Sequence, residues 1–253
     1  MTRPGFEEQW RRRFVQRGSR FDDDAGIAGW TPSGLETRLR NFRRVWPGDR
    51  PGALWLDAGC GAGSYTRHLS ACGVRPVGLD YALPSLRKAR QRSPGDIPWM
   101  VGDVTRLPVA PASLDGILCL GVMQALARPE AAVAELVAAV RPGGQIWIDV
   151  LNADCLITRL QRGLARLRGR GMVLRYDRPR QLAHWLRAHG AEDVRIHWVP
   201  ILPGPLRRLQ PWLETPAVRR LLATVPGIGA LASHAVLVSA VKAGVRPAHG
   251  AGS

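Results

Sequence analysis

The segment Leu56-Asp57-Ala58-Gly59-Cys60-Gly61-Ala62-Gly63 sets three glycines at alternate positions, directly after a short apolar run and before a helix-forming stretch. Glycine lets the backbone turn sharply and lets a ligand approach where a Cβ would collide. The spacing is Gly-x-Gly-x-Gly rather than Gly-x-Gly-x-x-Gly, so the dinucleotide fingerprint fits poorly. Asp57 adds a charge argument. A carboxylate two residues before the first glycine would repel a pyrophosphate laid on the turn, and it suits a ligand carrying an ammonium and a sulfonium. Opposite charges about 4 Å apart are worth roughly 1–4 kcal/mol between bulk water and a protein surface.

Three further points along the chain fit the same kind of ligand. Asp80 closes the second apolar run, Val77-Gly78-Leu79-Asp80. At the carboxyl end of a strand it would reach ribose hydroxyls and oppose a 2′-phosphate. Gly102-Asp103-Val104 follows a third run; the acid can accept a hydrogen bond from an adenine amine while Val104 packs on the ring. Cys119-Leu120-Gly121-Val122 ends a fourth run, and its backbone would line a pocket beside the ligand.

The elements that must position these residues alternate. Apolar runs at 53–58, 74–80, 97–103, 114–121 and 145–151 read as strands, with helices expected at Ser64–Cys72, Pro84–Arg92 and Pro129–Val140 and a turn at Arg141–Gly144. Near-continuous apolar strands between helices indicate a parallel sheet covered on both faces, and right-handed crossovers make it an open, doubly wound sheet. Upstream, a helix is expected around Phe6–Gln16, a loop at Gly18–Gly29, and a helix at Ser33–Trp46 with Leu35, Leu39, Phe42 and Trp46 on one face. Downstream, a helix at Arg178–His189 and strands at 194–202 and 233–243 are expected.

Taken in order, LDAGCGAGSYT, VGLDYALPSLRKAR, VGDVTRLP, LDGILCLGVMQAL and VAAVRPGGQIWIDV resemble the motifs of class I S-adenosylmethionine-dependent methyltransferases of the small-molecule type, over about residues 53–151. The resemblance implies an α/β, Rossmann-like fold with a doubly wound, mostly parallel sheet of seven strands, the last antiparallel. S-adenosyl-L-methionine is then the expected cofactor and S-adenosyl-L-homocysteine the product. The implied donor-binding residues are Asp57, Gly59, Gly61, Gly63, Asp80, Tyr81, Asp103, Val104 and Leu120, with the glycines around the methionine portion, Asp80 on the ribose, and Asp103 and Val104 on the adenine. Gln124-Ala125 stands where many relatives have Glu-His, a departure beside the acceptor position.

The expected organisation is a helical N-terminal cap or acceptor segment (1–50), a methyltransferase domain (51–243) with basic helical insertions at 151–178 and 203–231, and a flexible tail (244–253). Leu156, Leu160, Leu164 and Leu167 share one helical face, with Arg159, Arg162 and Arg166 elsewhere. That pattern suits contact with an anionic membrane or a lipid-linked acceptor. The ordinary alternative is a core-facing helix with a solvated arginine face.

Net charge is +16, and every basic residue except Lys88 and Lys242 is arginine. Such charge attracts nucleic acid, anionic lipid or acidic substrates. No RNA-binding module or basic aromatic strand motif is visible, which disfavours nucleic acid as the acceptor. The chain has neither an apolar span nor a signal-type N-terminus, so a cytoplasmic, membrane-peripheral enzyme acting on a small-molecule or lipid-like acceptor is expected. A methyltransferase of RNA and a non-catalytic S-adenosylmethionine-binding protein are the alternatives. Cys60, Cys72, Cys119 and Cys155 match no metal or redox spacing and are expected to be free thiols, with no metal site. His68, His184, His189, His197, His234, Tyr176 and Asp177 are candidates for a general base, and none is assigned.

Overall fold

The computed structural model describes residues 3–167, 174–202 and 204–244. Helices α1 (Arg3–Arg20), α2 (Asp24–Ala28) and α3 (Pro32–Val45) precede the sheet. Then β1 (Leu54–Ala58), α4 (Ser64–Ala71), β2 (Arg75–Asp80), α5 (Leu83–Gln91), β3 (Trp99–Val101), β4 (Leu114–Cys119), α6 (Pro129–Ala139) and β5 (Val140–Leu151) alternate. The remainder comprises α7 (Leu156–Leu167), α8 (Pro179–Ala188), β6 (Ala191–Val199), the short helices α9 (Gln210–Leu213), α10 (Pro216–Thr224) and α11 (Ile228–Ala232), and β7 (Ala235–Lys242).

The sheet has seven strands in the order β3-β2-β1-β4-β5-β7-β6. The first five pair in parallel, and β7 enters antiparallel between β5 and β6. The doubly wound α/β expectation therefore holds. Strand order reverses between β1 and β4, which is where an open parallel sheet leaves a crevice at its carboxyl edge. One core face packs Leu56, Ile117, Ile146 and Ile148 against α6 and α8. The other gathers Phe42, Trp46, Trp55, Leu69 and Trp147 under α3 and α4. There, the Phe42 and Trp46 rings stack at 5.7 Å and Trp147 meets Phe42 edge-on at 5.6 Å. Burying side chains of this size contributes roughly 1.5–3 kcal/mol each.

Four expectations are corrected. The N-terminal helix is longer than Phe6–Gln16, running from Arg3 to Arg20. The segment 18–29 is not all loop: it holds α2, which Asp23 caps by accepting the Gly26 N–H at 2.6 Å. Residues 141–144 do not form a separate turn before β5. The strand starts at Val140, which pairs with Leu114, and the ladder resumes at Gly116 with Gln145, so the Pro-Gly-Gly stretch is an irregularity inside the strand. Finally, β6 lies at Ala191–Val199 rather than 194–202, because it starts directly after Gly190 and absorbs an irregularity at Asp193 (φ 51°). Of the expected tail, residues 245–253 lie outside the described residues, as do 168–173 of the first insertion.

Candidate functional site

At the carboxyl edge of β1, β2 and β4 the glycine turn forms one wall of a cleft of about 1030 Å³, counted to its open mouth. The turn is fixed from beneath: the Gly59 and Cys60 N–H groups both donate to the Leu79 carbonyl, at 2.7 and 3.0 Å. Gly61 takes φ +53°, and a Cβ there would meet no atom within 4 Å, so its missing side chain leaves cleft space open. Gly59 and Gly63 are needed for a different reason, close packing. A Cβ on Gly59 would lie 2.3 Å from Val122, and one on Gly63 2.5 Å from the Trp99 ring.

Of the nine donor-binding candidates, Gly59, Gly61, Asp80, Tyr81, Asp103, Val104 and Leu120 line this cleft. Asp57 and Gly63 lie behind it. Asp80 accepts the N–H of Gly61 on one oxygen and the N–H of Ala82 on the other, both at 2.8 Å. Burial pushes its pKa up, against those backbone hydrogen bonds. Asp57 is 2% exposed and takes the Thr66 hydroxyl at 2.6 Å. Burial lifts it to about 7, with the Asp80 charge adding to the rise. Among the described residues no cationic side chain pairs with either carboxylate. A positively charged ligand beside two such buried acids would favour their ionised forms.

Asp103 has a partner within the chain. Thr105 donates to it through both its N–H and its hydroxyl, and Arg11 of α1 forms an ion pair with it. Burial alone would raise its pKa, but those hydrogen bonds and the Arg11 charge hold it below the usual range. Arg11 also stands over the Tyr81 ring at 5.7 Å. With Glu7, Trp10 and Phe14, it makes α1 the roof of the cleft.

Protein-family comparison matches residues 56–148 to the Methyltransferase domain family. Residues 56–148 thus form a methyltransferase domain, carried on the seven-stranded sheet. It is 38% identical over 106 residues to malonyl-[acyl-carrier protein] O-methyltransferase of Serratia marcescens, a match spanning 42% of this chain and 41% of that protein. It is 32% identical over 114 residues to demethylmenaquinone methyltransferase of Renibacterium salmoninarum, spanning 44% and 48%. The chain thus spans less than half the length of these two relatives. Among solved structures, phosphoethanolamine N-methyltransferase 2 of Haemonchus contortus in complex with S-adenosyl-L-methionine superposes with a TM-score of 0.64. That likeness covers 92% of this chain and 60% of the other at 18% identity, and it is a likeness of fold.

The candidate bases do not converge on the cleft: among the described residues no histidine lines it. His68 packs on Phe42 and Trp46, and His197 stacks on Trp147 at 5.5 Å. His234 lies edge-on to Tyr176 and within reach of the Thr158 hydroxyl, and burial drives it down to about 4. His184 is exposed, and His189 ends α8. Asp177 is held by Arg175 at 2.8 Å, and Tyr176 lies under Arg162, so neither faces the cleft. Gln124 is buried and donates to the Gly121 carbonyl at 2.5 Å, while Ala125 lines the cleft in the position of the expected departure. Sequence reading missed Trp10, Arg11, Phe14 and Trp30 as cleft residues. Their clustering in an Arg- and Trp-rich N-terminal segment is the only signal they leave.

Proposed function

We propose that the chain transfers a methyl group from S-adenosyl-L-methionine to a small-molecule or lipid-linked acceptor. The observation that carries the reading is the pair of buried, cation-free carboxylates, Asp57 and Asp80, joined to the glycine turn. When bound, the donor supplies a methyl already activated by a sulfonium. Asp80, with a lone pair to spare on each oxygen, holds the ribose hydroxyls; the loop at Gly59, Gly61 and Gly63 takes the methionine portion. Asp57 contributes negative potential from behind the loop. Tyr81, Asp103 and Val104 hold the adenine end, with Arg11 sharing Asp103. Leu120, Gly121 and Val122 flank the transfer position, and Phe14, Trp30 and α1 exclude water. Aligning the two reacting atoms in such an enclosure accounts for much of a displacement rate.

The acceptor class follows from two supports. Relatives that share the domain include O-methyltransferases and quinone-pathway methyltransferases by name. The second support is the surface of the insertions. The stripe on α7 is not core-facing: Leu156 is 52% exposed, Leu160 65% and Leu164 47%. Among the described side chains of α7 the buried one is Thr158, with Cys155 buried just before the helix. In the second insertion Leu206, Leu209 and Trp212 are exposed as well, and exposed arginines stand in both insertions, Arg159 in the first and Arg207 and Arg208 in the second. Exposed apolar side chains accompanied by arginine suit the interface of an anionic membrane. No helix among the described residues is long and apolar enough to cross one. The test is incubation with methyl-labelled S-adenosylmethionine and fractionated cell extract. Label entering the lipid or small-metabolite fraction supports the reading; label entering RNA, or no transfer at all, rejects it.

A further inference from the structure

α3 turns a polar face inward. Its buried positions are Gly34, Thr37, Arg38, Asn41 and Phe42. Arg38 is the unusual member, with a side chain only 6% exposed. Its Nη1 donates to Asp149 at 2.7 Å, and its guanidinium lies 4.0 Å from the centroid of the Trp30 ring. Its Nε and Nη2 are buried with no hydrogen-bond partner among the described residues. Buried polar groups of native proteins are almost always satisfied, so two open donors on one buried cation call for a physical cause.

Those two atoms share one edge of the guanidinium. Their N–H bonds run parallel, the geometry that takes both oxygens of a carboxylate or phosphate group. Arg38 and Asp149 border a recess of about 240 Å³ together with Tyr65 and apolar side chains such as Leu237. Tyr65 and Leu120 line both this recess and the donor cleft. Trp30, stacked on the guanidinium, lines the cleft as well. Asp149 fastens the two together: one oxygen holds Arg38, the other accepts the N–H of Gly121 at 2.6 Å. Arg38 is therefore pinned to the same backbone that flanks the transfer position.

We propose that Arg38 recognises an oxyanion on the methyl acceptor, a carboxylate or phosphate-type group gripped by Nε–H and Nη2–H. The inference rests on the donor reading of the cleft and names the acceptor chemistry within it. Trp30 and Asp149 are positioning residues that hold the fork in plane and leave its second edge open. An acceptor held there keeps its anionic end in the recess and extends its reacting atom past Leu120 toward the donor.

Calorimetric titration of the full chain with benzoate, phenyl phosphate and neutral benzamide, with and without saturating S-adenosylhomocysteine, tests this. Benzoate or phenyl phosphate is expected to bind about tenfold or more tightly than benzamide, and Arg38→Lys, which keeps the charge and loses the fork, is expected to abolish that preference while leaving S-adenosylhomocysteine affinity within about threefold. Equal binding of benzamide, no binding of either anion, or an undiminished preference in Arg38→Lys overturns it. The carboxylate-against-amide comparison on the unaltered protein needs no variant to fold. Anion preference without S-adenosylhomocysteine binding would sink the donor reading alone, so the two failures are distinguishable.

Discussion

The Asp80 carboxylate accepts the backbone N–H of Gly61 at 2.8 Å, which ties the end of β2 to the centre of the glycine turn. One side chain thereby sets the turn and faces the cleft. Asp80→Asn should weaken S-adenosylmethionine and S-adenosylhomocysteine roughly 10- to 100-fold, since a charge-assisted ribose contact is lost in a buried setting. Calorimetry, with a melting curve to verify folding, measures it. Unchanged affinity would remove Asp80 from the site.

Asp57, lifted to about 7 by burial, gives a pH signature. Its folded-state pKa lies above the unfolded value, so between about pH 4 and 7 the native state binds more protons than the unfolded one. Stability on its account is lost as pH rises through that window. Asp57→Asn mimics the protonated form. It should match the parent protein near pH 4 and exceed it above pH 7, by at most on the order of 4 kcal/mol. Thermal melts from pH 4 to 8.5 check this, and parallel curves for the two proteins would contradict it.

The same group links pH to binding. A cationic ligand favours ionised Asp57 and Asp80, so affinity for S-adenosylmethionine should rise between about pH 5.5 and 7.5. In Asp57→Asn that rise should be shallower. A pH-independent dissociation constant in the parent protein would show that neither carboxylate senses the ligand.

Gly59 and Gly61 should fail differently when replaced by alanine. At Gly59 the backbone has φ +84° and the new Cβ would strike Val122, so left-handed strain and overpacking together cost about 2–4 kcal/mol. At Gly61 only the strain applies, about 1–2 kcal/mol, but the methyl enters cleft space. Gly59→Ala should therefore show the larger drop in melting temperature. Gly61→Ala should stay folded yet lose ligand affinity.

The exposed face of α7 predicts membrane binding through named side chains. Leu160→Ser with Leu164→Ser should lower co-sedimentation with anionic vesicles several-fold without shifting the melting temperature, because both residues are already exposed. Raised salt should weaken binding of the parent protein. Absence of binding to anionic vesicles at low salt would reject the membrane-facing role of this surface.

The sheet was legible because parallel strands buried on both faces write themselves as apolar runs, as at Leu54–Ala58 and Leu114–Cys119. The glycine turn and Asp80 were legible because their roles depend on local backbone geometry. Arg38 was not. Hydropathy along α3 favours the Leu35, Leu39, Phe42, Trp46 face, yet Leu35 and Leu39 are only half-buried while Thr37, Arg38 and Asn41 point inward. That rotation is set by packing on the sheet and by Asp149, far away in sequence. For the same reason α1 could be drawn as a helix from its residues but not as the roof over Tyr81 and Asp103. The leucines of α7 illustrate the converse: a helical stripe marks a helix and does not say whether protein or solvent covers it.

The most direct measurement is a calorimetric comparison of S-adenosylmethionine, S-adenosylhomocysteine and NAD on the unaltered chain. Two carboxylates short of a cation predict one site that takes the two sulfur compounds and ignores the dinucleotide. Binding of NAD, or indifference to both sulfur compounds, would contradict the account.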